Sequence, residues 1–309
     1  MVWIFKAILQ NTISLLPNSI ANSLYYTIQC RFGGLKHTSP ESRILAAKKI
    51  CEYIVQNGGC ISEKKFLEVG SGRSLVVPLY LWLMGASKIV TVDLNRYLKV
   101  EIFLKDIKYI TSNLNNPEFF SHDILCSDRF NQLFQLNVSD LSIKAIKDIF
   151  SIDYIAPGDA TNLSVDDNYF DYHISYTVFE HIPPIILKNL LSEAKRVVKN
   201  GSLCIHCIDY TDHFAHSDSQ ISLINFYKYS DLIWKLLAGN QFMYQNRIRH
   251  SEIIDLYASA QHEIVDADCD VDAGLLELIN TGLIRLNNKF RKLEPTDLAT
   301  VTAWVISRV

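Results

Sequence analysis

The spacing of hydrophobic positions changes several times along the chain and predicts an alternation of strands and helices. Phe66, Leu67 and Val69 form a short apolar run that is typical of a buried strand. Residues 75–84 predict a helix that ends at a glycine, and Lys88–Val92 predicts a second strand. Strand, helix and strand in this order indicate a parallel βαβ unit, and therefore an α/β fold.

Later segments continue this alternation. Further strands are predicted at Ile152–Ile155, Phe170–Tyr176, Ser202–Ile208, His262–Ala267 and Leu298–Val309. Helices are predicted at Glu41–Gln56, Leu141–Phe150, Leu187–Val198 and Ile221–Leu237, with another that begins at Ser251. Residues 1–60 are predicted to form an N-terminal helical region and residues 61–309 the main domain.

The interval between the second and third strands is unusually long. A plain crossover needs only about a dozen residues, so residues 98–150 predict a helical insert. This insert is either an elaboration beside the sheet or a lid that selects the substrate, and both interpretations stay open.

The first helix, residues 2–16, is apolar, but Lys6 and Gln10 interrupt it and it is shorter than the ~20 residues that a bilayer requires. We expect it to pack on the protein body or on a second copy, which would make a homodimer. The alternative is a peripheral contact with a membrane.

Charge and cysteine usage exclude several classes of protein. The 309 residues include 30 basic and 33 acidic side chains, a balance that argues against a nucleic-acid partner. The seven cysteines are odd in number and scattered, so a reducing cytoplasm is predicted rather than a disulfide framework. Cys204 and Cys207 point to opposite faces of a strand and have no second pair, so no metal is predicted there.

The turn after the first strand predicts a ligand site. Gly70, Ser71 and Gly72 allow backbone N–H groups to approach a ligand closely. Asp93 ends the next strand, where it is placed to bind both hydroxyls of a ribose.

Two features argue against a dinucleotide in this turn, and so against a nicotinamide-dependent reductase. The third glycine of a dinucleotide motif is missing, since Ser74 or Leu75 stands in its place. Glu68 would also repel a pyrophosphate, but it suits a ligand with an ammonium group. A nucleoside with an amino-acid tail and no phosphate fits, and S-adenosylmethionine is such a compound.

Three sequence blocks resemble the class I S-adenosylmethionine-dependent methyltransferases: EVGSGRS at residues 68–74, VTVD at 90–93 and GDATNLSVDDNYFDYHISYTVFEHI at 158–182. They look most like the branch that modifies small molecules and sugars. The resemblance implies a doubly wound, Rossmann-like sheet of seven strands with an antiparallel last strand. The competing interpretation is a binding protein that keeps the fold without catalysis.

The resemblance and the glycine turn together predict how the cofactor is held. Asp159 and Ala160 are expected beside the adenine, although an aspartate that only caps a turn is the alternative. Residues 34–43 are expected at the mouth of the site. The predicted cofactor-binding residues are Glu68, Gly70, Ser71, Gly72, Asp93, Asp159, Ala160 and Ser175.

The loop after the fifth strand crowds histidines and acids together, and loops at this edge of a sheet often carry function. We predict that His213, oriented by Asp209 or Asp212, removes the proton of an acceptor hydroxyl. A divalent metal held by Asp209, Asp212 and His213 is the second interpretation, and a polar loop without chemistry is the third. His181 is another candidate base or a residue that holds its loop. The predicted acceptor is a small molecule or a sugar-linked compound methylated on oxygen.

Overall fold

One mixed sheet forms the centre of the computed structural model, which describes residues 2–37, 39–120, 127–136 and 142–309. Its strands are β1 Lys65–Val69, β2 Lys88–Val92, β3 Ile152–Ile155, β4 Tyr172–Tyr176, β5 Leu203–Asp209, β6 Glu263–Val271 and β7 Thr300–Arg308. They lie in the order β3-β2-β1-β4-β5-β7-β6. Strands β1 to β5 are parallel, whereas β7 is antiparallel to both of its neighbours. The predicted doubly wound seven-stranded sheet is thereby confirmed.

Twelve α-helices accompany the sheet within the described ranges. They are α1 Val2–Ser14, α2 Asn18–Phe32, α3 Glu41–Gln56, α4 Val76–Leu83, α5 Val100–Ser112, α6 Ser127–Gln135, α7 Ile143–Phe150, α8 Pro184–Val197, α9 Asp231–Ala238, α10 His250–Ser259, α11 Ala273–Asn280 and α12 Pro295–Ala299. Helices α5, α6 and α7 lie within the interval 98–150, as the sequence predicted. The limits of this insert and the division at residue 60 stay predictions.

The central strands are buried on both faces, as expected for parallel strands covered by helices. Phe66 and Ile89 pack on one face with side chains of α3, α4 and α5. Leu67 and Val90 pack on the other face with side chains of α8. The cysteines of β5 divide in the same way, since the two clusters contain Cys207 and Cys204 respectively. All described cysteines are free thiols, and Cys126 lies outside the described residues.

Most predicted elements match the structure closely, and β2, β3 and α3 match to the residue. The helix predicted at Leu141–Phe150 is α7, although Leu141 lies outside the described residues. The predicted helix Ile221–Leu237 is wrong in its first half, where the chain forms a short 3₁₀ helix at Asn225–Lys228. The α-helix starts only after Ser230, because that side chain caps it by accepting a hydrogen bond from the Ile233 amide.

The prediction that Ser251 caps a helix is also wrong. Arg249 occupies the N-cap position of α10, and its amide donates to Glu252. The hydroxyl of Ser251 donates instead to Asp297. Arg249 is completely buried, and its guanidinium donates to the carbonyl oxygens of Tyr210, Asp297 and Thr300. This arginine therefore ties three segments of the backbone together.

The N-terminal helices pack on the body of the protein. Helix α3 belongs to the main core through residues such as Ile44 and Ile50. Helix α1 lies against α9, where the side-chain amide of Asn11 donates to the Leu236 carbonyl oxygen at 3.0 Å. Among the helices described, none has both the length and the apolar character needed to cross a membrane.

Candidate active site

The glycine turn after β1 has a backbone conformation that favours glycine. The φ angle is +80° at Gly70 and +70° at Gly72. A Cβ atom at Gly70 would lie only 2.6 Å from Cγ2 of Val178, whereas one at Gly72 would first meet Nη2 of Arg43 at 3.8 Å. The turn therefore needs glycine at both positions because of φ, and at Gly70 also because of space.

Asp93 follows β2 and binds this turn directly. Its Oδ2 accepts hydrogen bonds from Ser71 Oγ at 3.0 Å and from the Gly72 amide at 3.1 Å. Burial raises the pKa of Asp93 to about 6, and the two hydrogen bonds act in the opposite direction. The carboxylate thus lies beside the glycine turn, where a ribose was expected, and its role in binding the cofactor stays a prediction.

Glu68 lies on β1 itself and is almost completely buried. Burial raises its pKa to about 8, and the charge of Asp93 adds to this rise. Its Oε2 is buried and has no hydrogen-bond partner among the described residues. An ionised carboxylate is costly in such a place unless a cation pairs with it. The ammonium group of an amino-acid tail would supply that cation, so these residues fit S-adenosylmethionine.

Helices α2 and α3 bring an aromatic and a basic side chain to the glycine turn, and the sequence did not single out either residue. Arg43 lies in the first turn of α3, within the range expected at the mouth of the site. Tyr26 of α2 lies under two cations, with its ring centre 5.3 Å from the Arg73 guanidinium and 4.7 Å from Lys99 Nζ. These residues are far apart in the sequence, so no local pattern indicates that they meet.

Asp159 follows β3 and is exposed. Its Oδ1 accepts hydrogen bonds from the Thr161 hydroxyl at 2.7 Å and the Thr161 amide at 2.8 Å, and both lower the pKa of Asp159. This geometry is that of an aspartate capping a turn, the alternative considered from the sequence. Ala160 is half-buried and packs against the core. Contact of either residue with adenine stays a prediction.

Ser175, expected among the cofactor-binding residues, has its side chain in the core, and its contact with the cofactor stays a prediction. Ser175 is 1% exposed, and its Oγ lies 2.8 Å from Nδ1 of His206. The other ring nitrogen of His206 lies 3.2 Å from Nδ1 of His173. The alternation of side chains along β4 therefore turns this hydroxyl into the core, toward a buried pair of histidines.

The histidine predicted to be the base has the expected partner. Asp209 ends β5, and its Oδ2 lies 3.3 Å from Nε2 of His213. Its Oδ1 accepts hydrogen bonds from the hydroxyl and the amide of Thr211. Burial alone would raise the pKa of Asp209, but the nearby His213 and the hydrogen bonds from Thr211 outweigh it and lower that pKa. Asp209 is therefore ionised at neutral pH and lies beside the imidazole of His213.

Two further imidazoles flank His213, with their ring centres each 4.9 Å from its own. One is His216 of the same loop. The other is His181, in the 3₁₀ helix Phe179–His181, whose Nδ1 lies 2.9 Å from the carbonyl oxygen of Tyr244. Burial and the nearby His213 lower the pKa of His181 to about 4. His181 is therefore neutral at physiological pH, with Nδ1 donating and Nε2 able to accept a proton or a metal.

The metal site considered from the sequence is wrong in one member. Asp212 accepts hydrogen bonds from the Phe214 amide and the Asn225 side chain. Glu180 was not predicted, but both of its oxygens are buried and have no partner in the part of the chain that is described. Among the described residues, two of the three sets that bring potential ligand atoms within 4.8 Å of one another include His213: Glu180, His181 and His213, and Asp209, His213 and His216.

Comparison with known proteins bears on the function of this edge of the sheet. Residues 119–206 match the family model described as "Methyltransferase domain". This segment contains the predicted block at residues 158–182, in a seven-stranded sheet with the antiparallel last strand that the resemblance implied. The chain therefore carries a methyltransferase domain, in agreement with the resemblance to the class I S-adenosylmethionine-dependent enzymes. S-adenosyl-L-methionine is the cofactor that this resemblance implies, and the buried Glu68 beside the glycine turn suits its ammonium group.

Solved structures similar to this methyltransferase have low sequence identity. A methyltransferase from Methanosarcina mazei is 13% identical with a TM-score of 0.45, over 82% of this chain and 96% of that one. The geranyl diphosphate C-methyltransferase of Streptomyces coelicolor A3(2), solved with Mg²⁺, geranyl diphosphate and S-adenosyl-L-homocysteine, is 11% identical with a TM-score of 0.46, over 91% and 87%. No protein of curated function matches the sequence.

Proposed function

We propose that this methyltransferase acts on an oxygen atom of a small-molecule or sugar-linked acceptor, and that His213 takes the acceptor's proton. The pairing of His213 with Asp209 at the end of β5 supports this best. Strand β5 neighbours β4, which neighbours β1, and all three are parallel. The loops after these strands therefore meet at the edge that carries the glycine turn.

The residues suit the chemistry of a hydroxyl acceptor. S-adenosylmethionine supplies a methyl group that its sulfonium charge already activates. The acceptor oxygen must lose its proton as it forms the new bond to carbon, and a positioned base contributes about 10²- to 10⁴-fold. If the nitrogen of His213 that faces Asp209 carries the proton, Nδ1 is left to accept another. The negative charge of Asp209 then stabilises the imidazolium.

The surroundings of the site narrow the class of acceptor. The formal net charge of −3, with 30 basic and 33 acidic residues, does not favour a nucleic acid as the acceptor. The aromatic residues Phe226, Tyr227 and Trp234 are buried in a core cluster, so they do not form a surface on which a sugar stacks. The polar groups around His213 favour an acceptor that presents its hydroxyl through hydrogen bonds.

A second way to activate the hydroxyl is favoured by the unpaired carboxylate of Glu180. With His181 and His213 it offers two imidazoles and one carboxylate, a set that binds divalent transition metals. A metal there would lower the pKa of a bound hydroxyl without a free base. In that case activity would depend on the metal rather than on the ionisation of His213.

The first experiment identifies the acceptor atom. Candidate hydroxyl compounds and sugar-linked intermediates are incubated with cofactor that carries a trideuterated methyl group. Mass spectrometry and NMR of the products then locate the label. We expect label on oxygen together with release of S-adenosyl-L-homocysteine. Label on nitrogen or carbon would refute the oxygen assignment.

The second experiment tests the base. We expect His213→Gln to lower kcat by about 10²- to 10⁴-fold with little change in cofactor affinity. His250→Gln serves as the control, because His250 contacts Tyr210 and Cys269 rather than the histidine cluster. Full activity of the His213 variant would sink the proposed role. Loss of wild-type activity in EDTA, restored by Mn²⁺ or Zn²⁺, would favour the metal route instead.

A further inference from the structure

The solvent-facing side of α1 is apolar. Val2, Phe5 and Ile8 are 62%, 69% and 59% exposed. A helix on the surface of a globular protein normally has polar residues there. On α1 both sides are apolar, since Trp3, Ala7 and Ile13 are buried against the body, and the polar Gln10 is buried with them, where it donates a hydrogen bond to the hydroxyl of Tyr25.

This apolar face continues over neighbouring elements. Helix α9 packs beside α1 through the hydrogen bonds of Asn11 to the carbonyl oxygens of Leu236 and Leu237. We call the combined area the N-terminal apolar surface. Its large exposed residues are Val2, Ile4, Phe5, Ile8, Leu15, Leu16, Ile20, Leu24, Leu232, Ile233 and Leu236. A patch of this kind usually marks a binding surface.

The charged side chains of α1 and α2 are basic, namely Lys6 and Arg31. Residues 1–40 contain two lysines and one arginine but no Asp or Glu. Arg31 is exposed and lies at helical spacing from Ile20 and Leu24, so it shares their side of α2. Lys235 is exposed on α9, and the nearby acid Asp231 is paired with Arg247 and Lys289.

We propose that the N-terminal apolar surface binds the surface of a lipid bilayer that contains anionic lipid. Thirteen residues of α1 span about 20 Å, less than the ~30 Å hydrocarbon core, so the helix lies in the interface and does not cross it. Anionic headgroups neutralise the basic residues around the patch. A second copy of the chain on the same face would bring equal positive charges together.

The location of this surface has a consequence for the substrate. Trp3 of α1 packs on Phe214, with ring centres 5.3 Å apart, and Lys6 donates a hydrogen bond to Ser217. Both partners belong to the loop that carries His213. Membrane binding therefore places this loop next to the bilayer. If the proposed function holds, the acceptor is one that a lipid anchor presents at the membrane surface.

Vesicle co-sedimentation of the full chain tests the proposal without cofactor or acceptor, so its result does not depend on the proposed function. Vesicles of phosphatidylcholine alone are compared with vesicles that also contain phosphatidylglycerol. We expect binding to the anionic vesicles that weakens in high salt. Phe5→Glu and Ile8→Glu should each weaken it about tenfold or more, because each replaces an inserted apolar side chain by a charge. Val55→Glu is the control, since Val55 is 53% exposed on α3.

Three results would overturn the proposal. The first is that the wild-type protein does not bind vesicles at millimolar anionic lipid. The second is that Val55→Glu weakens vesicle binding as much as Phe5→Glu and Ile8→Glu do. The third is a dimer, seen by light scattering, that Phe5→Glu converts to a monomer while vesicle binding is unchanged. Thermal melts verify that the variants are folded, and either of the two N-terminal substitutions is sufficient if the other unfolds.

Discussion

Replacement of Asp93 by asparagine should make the protein more stable and its cofactor binding weaker. Asp93 is 5% exposed, and its carboxylate accepts the hydrogen bonds of Ser71 and Gly72. The substitution keeps the size of the side chain and one acceptor oxygen. It removes the negative charge and the second acceptor, which a ribose with two hydroxyls would need.

The magnitude follows from the pKa of Asp93, which burial raises from its ordinary value of 3.8 to about 6. The folded protein therefore binds this proton more tightly than the unfolded chain does. Stability falls as the pH rises from about 4 to about 6, and above pH 6 the full cost of roughly 3 kcal/mol is present. Asparagine removes this cost but weakens two charge-assisted hydrogen bonds, so we expect a net gain of about 1–2 kcal/mol at pH 8.

Thermal and urea unfolding at pH 8 and pH 4 measure this gain, and calorimetry measures cofactor affinity. At pH 8 the Asp93→Asn protein should unfold at a higher urea concentration than the wild type, and at pH 4 the advantage should disappear. Its cofactor affinity should fall at least tenfold, or about 1.4 kcal/mol. Asp255→Asn, at an exposed position, should change neither property. A variant that is less stable at pH 8 and binds the cofactor normally would refute the reasoning.

Two further substitutions test the glycine turn and the buried arginine. Gly70→Ala should abolish measurable cofactor binding and lower stability, because φ is +80° there and the new methyl group meets Val178. Calorimetry and thermal melting compare it with Gly34→Ala, where no atom lies within 4 Å of the new methyl group. Arg249→Met should destabilise the protein by about 3 kcal/mol or more in urea unfolding, because it leaves buried carbonyl oxygens without donors. Arg285→Met at an exposed position should cost less than about 0.5 kcal/mol.

The local pattern of the sequence determined most of the fold. Lys88–Val92 matches β2 to the residue, because a central strand covered by helices on both faces needs apolar side chains, and the short edge strand Ile152–Ile155 also matches. The glycine turn and Asp93 were also evident, since a positive φ demands glycine and the acid follows the next strand. The predicted start of a helix at Ile221 was wrong, because the side chain of Ser230 caps α9 and the helix begins only after it.

Tertiary structure alone decided which way the polar side chains face and which of them meet. Ser175 turns into the core because strand alternation is set by packing, while Glu180 and His216 join His213 only through the ends of β4 and β5. Tyr26 and Arg73 meet across 47 residues of chain, a separation at which sequence spacing carries no distance information. The exposed apolar side of α1 likewise became visible only in the structure, because both sides of this helix are apolar and packing decides which one faces the body.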